Sequence, residues 1–350
     1  MNEKIYIVDS TLRDGEQAAG VSFTGPEKIK IAMLLEEANV DIIEAGIPAM
    51  GKKEIETLRE INRRVKKSEI ITWNRAKKED IDASIDTGCR CIHISAPSSD
   101  IQILSKLGKN REWVIEKVEE VVKYSVKNGL IVSFGAEDSS RADEKFLEKL
   151  YKTAVKSGAK RIRYADTLGI LTPFEAYEKM AKLKKKIDAE IDFHGHNDFG
   201  MATANALGAF KGGAKYISCS MNGLGERAGN TPLEEIVTAV KYLLKKRVDV
   251  DIKKLVEISK VVESCSGRRI WESKPVVGKM VFSHESGIHV DGLIKNPKNY
   301  EFFPPEEIGR EREIVLGKHS GRSAVIQKLQ ESKTLFTDTD IEKIIEKLRG

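Results

Sequence analysis

Short β-branched runs alternate with longer amphipathic stretches along the first 250 residues, and this alternation predicts a (β/α)8 barrel. Eight runs of each kind fit within the roughly 250 residues that such a barrel occupies. Beyond residue 247 the alternation gives way to stretches that contain glycine and proline. We therefore predict a barrel domain over 1–250 and a small, mostly helical region over 251–350. An open doubly wound sheet is the alternative, because strand number alone does not prove closure.

The predicted strands share a high content of Ile, Val and Tyr and are bounded by polar or glycine-containing turns. They are 5–10, 41–45, 69–73, 90–95, 130–135, 161–165, 190–194 and 216–220. The predicted helices between and after them are 26–39, 51–66, 77–87, 110–128, 142–157, 173–187, 200–211 and 232–246. Thr172-Pro173 and Thr231-Pro232 each precede a glutamate, which predicts a threonine N-cap with proline at the first helical position. Further helices are predicted over 251–264 and 339–348.

Composition limits the classes of function. The net charge of +5 comes from 59 basic and 54 acidic residues that are interleaved along the chain. Aromatic residues make up only 6%, so a basic face with interleaved aromatics, as nucleic-acid binding requires, is not expected. The sequence shows neither a signal-peptide start nor an apolar run of the roughly 18 residues that span a membrane. Four cysteines without a Cys-x-x-Cys pair predict reduced thiols and a cytoplasmic protein.

The end of the seventh predicted strand carries His194-Gly195-His196-Asn197-Asp198. Strand residues two positions apart face the same way, so His194 and His196 present two imidazoles to one point. Neutral imidazole is the commonest metal ligand in proteins. The pair predicts a divalent metal site, although histidines that merely cap a strand are the alternative.

Other polar residues gather at the same edge, because the carboxyl ends of barrel strands form one face. Asp14 follows the first strand, and with the two histidines it makes an O/N/N ligand set suited to Mg²⁺, Mn²⁺, Zn²⁺ or Co²⁺. Arg13 could bind a substrate carboxylate or a developing oxyanion, or else form a structural ion pair. The glycine-rich loop 222–230 lies where barrels often bind phosphate. Asn230, at the end of this loop, could bind the metal or cap the next helix.

Four segments together resemble one family. They are Asp9-Ser10-Thr11-Leu12-Arg13-Asp14-Gly15-Glu16-Gln17, His194-Gly195-His196-Asn197-Asp198, the loop 223–230 and Ser283-His284-Glu285-Ser286-Gly287-Ile288-His289. The chain resembles the DRE-TIM metallolyases, and within them the Claisen-condensing branch of homocitrate, 2-isopropylmalate and citramalate synthases. Residues 45–51, 93–100 and 135–141 are similar to the homocitrate synthases of the nitrogenase-cofactor type. Ser133 and Gly135 depart from the lysine-pathway group, which usually carries Arg and Ser there.

The resemblance implies that acetyl-CoA condenses with 2-oxoglutarate and water to give homocitrate and CoA. It also implies a divalent metal and a domain-swapped homodimer in which the C-terminal region completes the partner's site. The implied metal ligands are Asp14, His194, His196 and, as a further candidate, Asn230. The implied catalytic residues are Arg13, Glu137, His284 and Tyr300, with Glu137 and His284 as alternative bases. The implied substrate-binding residues are Arg13, Glu44, His93 and Thr167, and those for CoA are Gln17, Gly223, Gly225 and Arg227.

Other functions remain open at this stage. A synthase that uses another 2-oxo acid, such as 2-oxoisovalerate or pyruvate, would keep the metal and CoA residues and differ only in the pocket. A non-catalytic metabolite sensor would be expected to lose a metal ligand or Arg13, and the chain keeps them all. A retro-aldol lyase of the same superfamily is a further alternative, against which the residues from His284 onward argue.

Overall fold

The computed structural model describes residues 3–350, which form two compact units. The first comprises the chain up to Asp251 together with Ile258–Arg269, and the second comprises Ile252–Glu257 and Ile270–Gly350. Within the described range, no helix is both long and apolar enough to cross a membrane.

The first unit is a closed barrel of eight parallel strands that are hydrogen-bonded in sequence order. The strands are β1 Tyr6–Asp9, β2 Ile42–Gly46, β3 Glu69–Arg75, β4 Cys91–Pro97, β5 Ile131–Glu137, β6 Arg161–Asp166, β7 Glu190–Gly195 and β8 Tyr216–Cys219. β1 pairs with β8 from Tyr6 opposite Tyr216 to Asp9 opposite Cys219, which closes the ring. The predicted barrel is confirmed, and the open sheet is excluded.

Each strand is followed by helical structure that covers the outside of the barrel. The helices are α1 Gly25–Glu37, α2 Lys52–Arg64, α3 Lys78–Asp86, α4 Asp100–Leu107, α5 Arg111–Lys127, α6 Glu144–Lys156, α7 Pro173–Lys186, α8 Ala202–Lys211 and α9 Leu233–Ala239. α4 was not predicted and adds a second helix between β4 and β5. Ser99 begins it by accepting a hydrogen bond from the backbone N–H of Gln102.

One of the two predicted threonine caps is correct. Thr172 forms a reciprocal capping box with Glu175 at the start of α7. The prediction for Thr231 is wrong, because α9 begins after Pro232 and has no side-chain cap. The Thr231 N–H instead donates to the carbonyl of Gly195 at 3.1 Å, so this segment pairs with the end of β7 before the helix starts.

An apolar cluster lies inside the barrel near the amino ends of the strands, beside the Arg161–Glu69 ion pair, and further charged residues lie toward the other end. Val8, Ile42, Ile71 and Cys91 form a buried cluster against which Tyr216 packs. Cys89, Cys91 and Cys219 are buried, and all four cysteines are free thiols, as predicted.

The second unit is mostly helical, as predicted. α10 Leu255–Ser266 spans the division between the units, and α11 Gly287–Lys295, α12 Arg322–Glu331 and α13 Asp338–Arg349 follow. Two short parallel strands, β9 Ser283–His284 and β10 Glu313–Ile314, pair with each other. Val290, Ile314 and Ala324 form the small core of this unit. α13 confirms the helix predicted over 339–348.

Candidate active site at the carboxyl ends of the strands

The loop after β1 is held in place by its own side chains. Asp9 accepts hydrogen bonds from the N–H and the hydroxyl of Thr11, and Thr11 Oγ1 accepts one from the N–H of Met221 after β8. These bonds tie the ends of β1 and β8 together. They place the Arg13-Asp14 pair at the start of the helical turn Gly15–Gln17.

Three side chains converge on one point. Asp14 Oδ2 lies 3.2 Å from His194 Nε2 and 3.7 Å from His196 Nε2, and the two Nε2 atoms lie 3.2 Å apart. All three residues are at most 6% exposed. Two imidazole nitrogens and a carboxylate oxygen that face one another in a buried site fit a divalent cation. The structure therefore brings together the three ligands predicted from distant parts of the sequence.

The protonation states of these groups favour metal binding. Burial and, next, the neighbouring His194 lower the pKa of His196 to about 4. Burial opposes ionisation of Asp14, but Arg13 and the two histidines together hold its pKa well below the usual value. At neutral pH the site therefore offers an anionic oxygen and a neutral imidazole at His196.

Asn230 lies beside this cluster, because it forms a β-bridge with His196. Its Nδ2 donates to the carbonyl of Leu224 at 3.0 Å, while its Oδ1 is buried and has no hydrogen-bond partner in the described part of the chain. A buried amide oxygen without a partner is available as a further metal ligand. Asn230 does not cap α9, which begins three residues beyond it at Leu233.

Arg13 is fixed over the barrel opening. Its Nε donates to Glu44 in a short hydrogen bond, and its Nη1 donates to Gln17 Oε1 at 3.1 Å. The guanidinium carbon lies 5.6 Å from the ring centre of Trp73. The side chain is 8% exposed, so it points into the site from a rigid setting.

Glu44 lies beneath Arg13 and has no exposed surface. Its second oxygen is 2.8 Å from Arg163 Nη1, so one carboxylate joins two arginines. Burial opposes its ionisation, but Arg13 and Arg163 hold its pKa well below the usual value. This geometry makes Glu44 a support for both arginines, whereas the sequence predicted contact with substrate.

A cleft of about 290 Å³ opens beside the three ligands, a volume suited to a small molecule. The predicted residues that line it are Arg13, Asp14, Gln17, His93, Glu137, Thr167, His194, His196 and Arg227. Glu44, Gly223, Gly225 and Asn230 lie outside its lining. Glu226, in the predicted loop 222–230, also lines it, and the residues that sequence reasoning missed are Trp73, Lys106 and Arg163. Arg163 could have been found from its inward position on β6, but Lys106 lies on the unpredicted helix α4.

His93 and its neighbours form one wall of the cleft. His93 Nδ1 lies 3.0 Å from Ser133 Oγ on the adjacent strand. Burial and the nearby Arg163 lower the pKa of His93 well below its usual value, so the ring is neutral. A methyl group on Gly135 would lie 2.5 Å from His93 Nε2, so the absence of a side chain there accommodates the imidazole.

Thr167 and Glu137 occupy neighbouring strand ends. Thr167 Oγ1 accepts a hydrogen bond from the Asp138 N–H at 2.8 Å, which fixes its side chain at the cleft. Both Glu137 oxygens accept hydrogen bonds from Lys106 Nζ, at 2.8 and 2.9 Å. The Lys106 side chain is 54% exposed, so this ion pair can open at low cost.

The glycine-rich loop is closely packed on itself. The Asn230 N–H donates to the carbonyl of Gly223, and a side chain at Gly225 would overlap Asn230. Arg227 reaches the cleft, where it donates to Asp198 at 2.8 and 2.9 Å and to the Thr167 carbonyl at 2.6 Å. The helix that follows, α9, continues directly into a π-helical segment, Val240–Leu244.

The two predicted catalytic residues of the C-terminal region lie within the second unit. His284 Nε2 is 3.6 Å from Glu301 Oε1, and Arg312 donates two hydrogen bonds to the same carboxylate. Tyr300 packs on His289, with their ring centres 4.2 Å apart. The catalytic roles of His284 and Tyr300, and the predicted domain-swapped dimer, stay predictions.

Comparison with known proteins identifies relatives over the whole chain. A family model described as HMGL-like matches residues 4–262, and one described as homocitrate synthase post-HMGL domain-like matches 276–350. The chain is 48% identical to 2-isopropylmalate synthase 2 of Caldanaerobacter subterraneus subsp. tengcongensis, over 99% of this chain and 91% of that protein. It is 42% identical to homocitrate synthase 1 of Nostoc sp., over 99% and 92% of the two chains.

Solved structures support the fold. The crystal structure of hydroxymethylglutaryl-CoA lyase from Pseudomonas aeruginosa matches with a TM-score of 0.69 at 17% identity. The match covers 77% of this chain and 95% of that one. The relatives thus include more than one synthase, and the homocitrate type predicted from the sequence is one of them.

Proposed function

The chain belongs to the HMGL-like family, and on that premise we propose that it condenses acetyl-CoA with 2-oxoglutarate and water to give homocitrate and CoA. The observation that carries the choice of substrate is the polarity of the cleft. Its side walls present His93, Ser95, Lys106 and Arg163, which can donate hydrogen bonds to a dicarboxylic acid. His93 and Arg163 are buried, and a branched aliphatic 2-oxo acid would give their donors at the cleft no partner.

The metal site supports the chemistry that such a condensation needs. Asp14, His194 and His196 fit a divalent ion by donor type, distance and burial, and Asn230 Oδ1 is free to add a fourth ligand. When bound, the ion would act as a Lewis acid toward the 2-oxo group of the substrate. The native metal is among Mg²⁺, Mn²⁺, Zn²⁺ and Co²⁺.

The remaining residues would bind and orient the two substrates. Arg13, held by Glu44 and Gln17, would stabilise the negative charge that develops on the substrate oxygen during addition. Thr167 would donate to the carboxylate next to the keto group. Arg227 would neutralise charge on CoA, with Gln17 beside it at the cleft.

Glu137 is the candidate base on the cleft that would remove a proton from the acetyl methyl group. Its carboxylate is paired with Lys106 in the free protein. Opening of this pair would expose an acceptor for the proton, and general-base catalysis of this kind contributes roughly 10²–10⁴-fold.

A panel of 2-oxo acids tests the proposal. The Mn²⁺-loaded protein would be assayed for CoA release by thiol detection with 2-oxoglutarate, 2-oxoisovalerate and pyruvate. We expect the highest kcat/KM with 2-oxoglutarate and homocitrate as the product by mass spectrometry. Absence of turnover with 2-oxoglutarate, alongside turnover of another acid, would refute it.

A second candidate is supported by a specific observation. The relative that is 48% identical over nearly the full chain is named a 2-isopropylmalate synthase. That activity would use 2-oxoisovalerate as the acceptor, and the same panel separates the two candidates. The polar wall formed by His93 and Arg163 favours the first.

A further inference from the structure

Arg163 on β6 is 2% exposed and yet lines the cleft. Its Nε donates to Asp192 Oδ2 at 2.7 Å, and its Nη1 lies 2.8 Å from Glu44 Oε2. Its Nη2 is buried and has no hydrogen-bond partner among the residues that the structure describes. A buried charged donor without a partner is costly, so this nitrogen is a candidate for contact with a ligand.

The two carboxylates fix the direction of the guanidinium. Asp192 is itself held by Ser218, whose hydroxyl lies 3.0 and 3.1 Å from its two oxygens. Glu44 is held from the other side by Arg13. The guanidinium is planar, and its other two nitrogens are held by Asp192 and Glu44. The direction of the unpaired Nη2 is therefore fixed before a ligand binds.

Gly135 lies against the His93 ring and beside Arg163. A Cβ at this position would lie 3.7 Å from Arg163 Cβ and 2.5 Å from His93 Nε2. His93 Nδ1 lies 3.0 Å from Ser133 Oγ, and the tautomer in which Nδ1 accepts from this hydroxyl carries its proton on Nε2. The side chains of Arg163 and His93, one charged and one neutral, therefore lie side by side and both line the cleft.

We propose that Arg163 is a specificity-determining residue whose Nη2 binds the far carboxylate of a dicarboxylic 2-oxo acid, with His93 as the second donor. The inference rests on the proposed function and adds the residue that selects the substrate class. An acceptor with an uncharged end would leave Nη2 buried and unpaired. Sites built to hydrogen-bond a substrate group discriminate strongly against analogues that lack it.

Arg163→Lys tests the inference, because lysine keeps the charge but loses the fork. Calorimetry on the Mn²⁺-loaded protein, without acetyl-CoA, would give Kd for 2-oxoglutarate and for 5-methyl-2-oxohexanoate. The second acid replaces the far carboxylate with an isopropyl group of similar shape. We expect the variant to bind 2-oxoglutarate roughly 10- to 150-fold more weakly and the uncharged acid within about threefold of the wild type.

Arg161→Lys is the matched control. Arg161 lies two residues earlier on β6, packs on Tyr216 and does not line the cleft, so both Kd values should stay unchanged. If Arg163→Lys does not fold, as judged by circular dichroism, Gly135→Ala replaces it. The added methyl group should displace His93 and so weaken the binding of 2-oxoglutarate at least about tenfold, while the binding of pyruvate should stay unchanged.

Unchanged selectivity in Arg163→Lys, or in Gly135→Ala where that variant is needed, would overturn the inference and leave the proposed function standing. Weakened binding of both acids by the same factor would also overturn it, because a general structural role would then explain the loss. A wild type that binds the uncharged acid as tightly as 2-oxoglutarate, and turns over only 2-oxoisovalerate, would refute the proposed function itself.

Discussion

Replacement of Glu44 by glutamine is the sharpest test of the buried network beneath the site. The substitution keeps the size of the side chain and removes one negative charge between Arg13 and Arg163. The glutamine side chain also has an NH₂ donor in place of one carboxylate oxygen, and this donor would face an arginine N–H. At least one buried guanidinium then loses its acceptor.

The magnitude follows from the burial of the pair. Glu44 has no exposed surface, and the two arginine side chains are 3% and 8% exposed. Loss of one partner from a buried ion pair costs about 3–5 kcal/mol of unfolding free energy. Arg13 also loses its anchor, and displacement of a catalytic group by about 1 Å lowers kcat roughly 10²-fold.

Urea unfolding and steady-state kinetics with 2-oxoglutarate would measure the two effects. We expect a lower urea midpoint, a fall in kcat and a KM within about threefold of the wild type, because Glu44 holds Arg13 and lies outside the lining of the cleft. Glu60→Gln is the control, since Glu60 joins Arg63 and Arg64 on the exposed face of α2, and it should change neither quantity noticeably. A large rise in KM with kcat intact would refute the positioning role.

Three further predictions concern separate features. Glu137→Gln should lower kcat roughly 10²–10⁴-fold and stop deuterium exchange into the acetyl methyl group of acetyl-CoA. The control variant Lys106→Met should preserve this exchange. Exchange at the wild-type rate in Glu137→Gln would contradict the role of Glu137 as the base. Burial raises the pKa of Asp9 to about 7, so its contribution to stability is present below about pH 4 and lost as the pH rises through 7. Asp9→Asn should therefore flatten the fall of the urea midpoint between pH 4 and 7, and an unchanged profile would exclude this effect. Thr172→Ala should cost about 1 kcal/mol through loss of the α7 cap, seen as a lower urea midpoint without a change in kcat; an equal midpoint would show that the cap contributes nothing.

Strand-like and helix-like stretches differ in the period of their apolar residues, and they alternate eight times along the chain. The sequence predicted the barrel for this reason. It predicted the metal ligands because strand geometry places His194 and His196 on one side, and closure of the ring brings the loop of Asp14 to them. These inferences use only local periodicity and the rule that strand ends share one face.

The supporting contacts could not be read in the same way. Glu44 was expected to meet substrate, but only three-dimensional packing shows that Arg13 and Arg163 enclose it. Lys106 was missed because α4 is a short helix inside a predicted loop. Thr231 resembled a cap, yet pairing of its backbone with Gly195 overrides the local signal. Such contacts depend on residues that are distant in sequence.

Metal binding by the purified protein tests the central claim most directly. The metal-free protein would be titrated with Mn²⁺ and followed by calorimetry and electron paramagnetic resonance, beside His194→Ala and with circular dichroism as the folding check. We expect one Mn²⁺ per chain in the wild type, together with CoA release on addition of 2-oxoglutarate and acetyl-CoA. The folded variant should bind no Mn²⁺ and be inactive. Undiminished Mn²⁺ binding and turnover in His194→Ala would contradict the assignment of Asp14, His194 and His196 as the metal ligands.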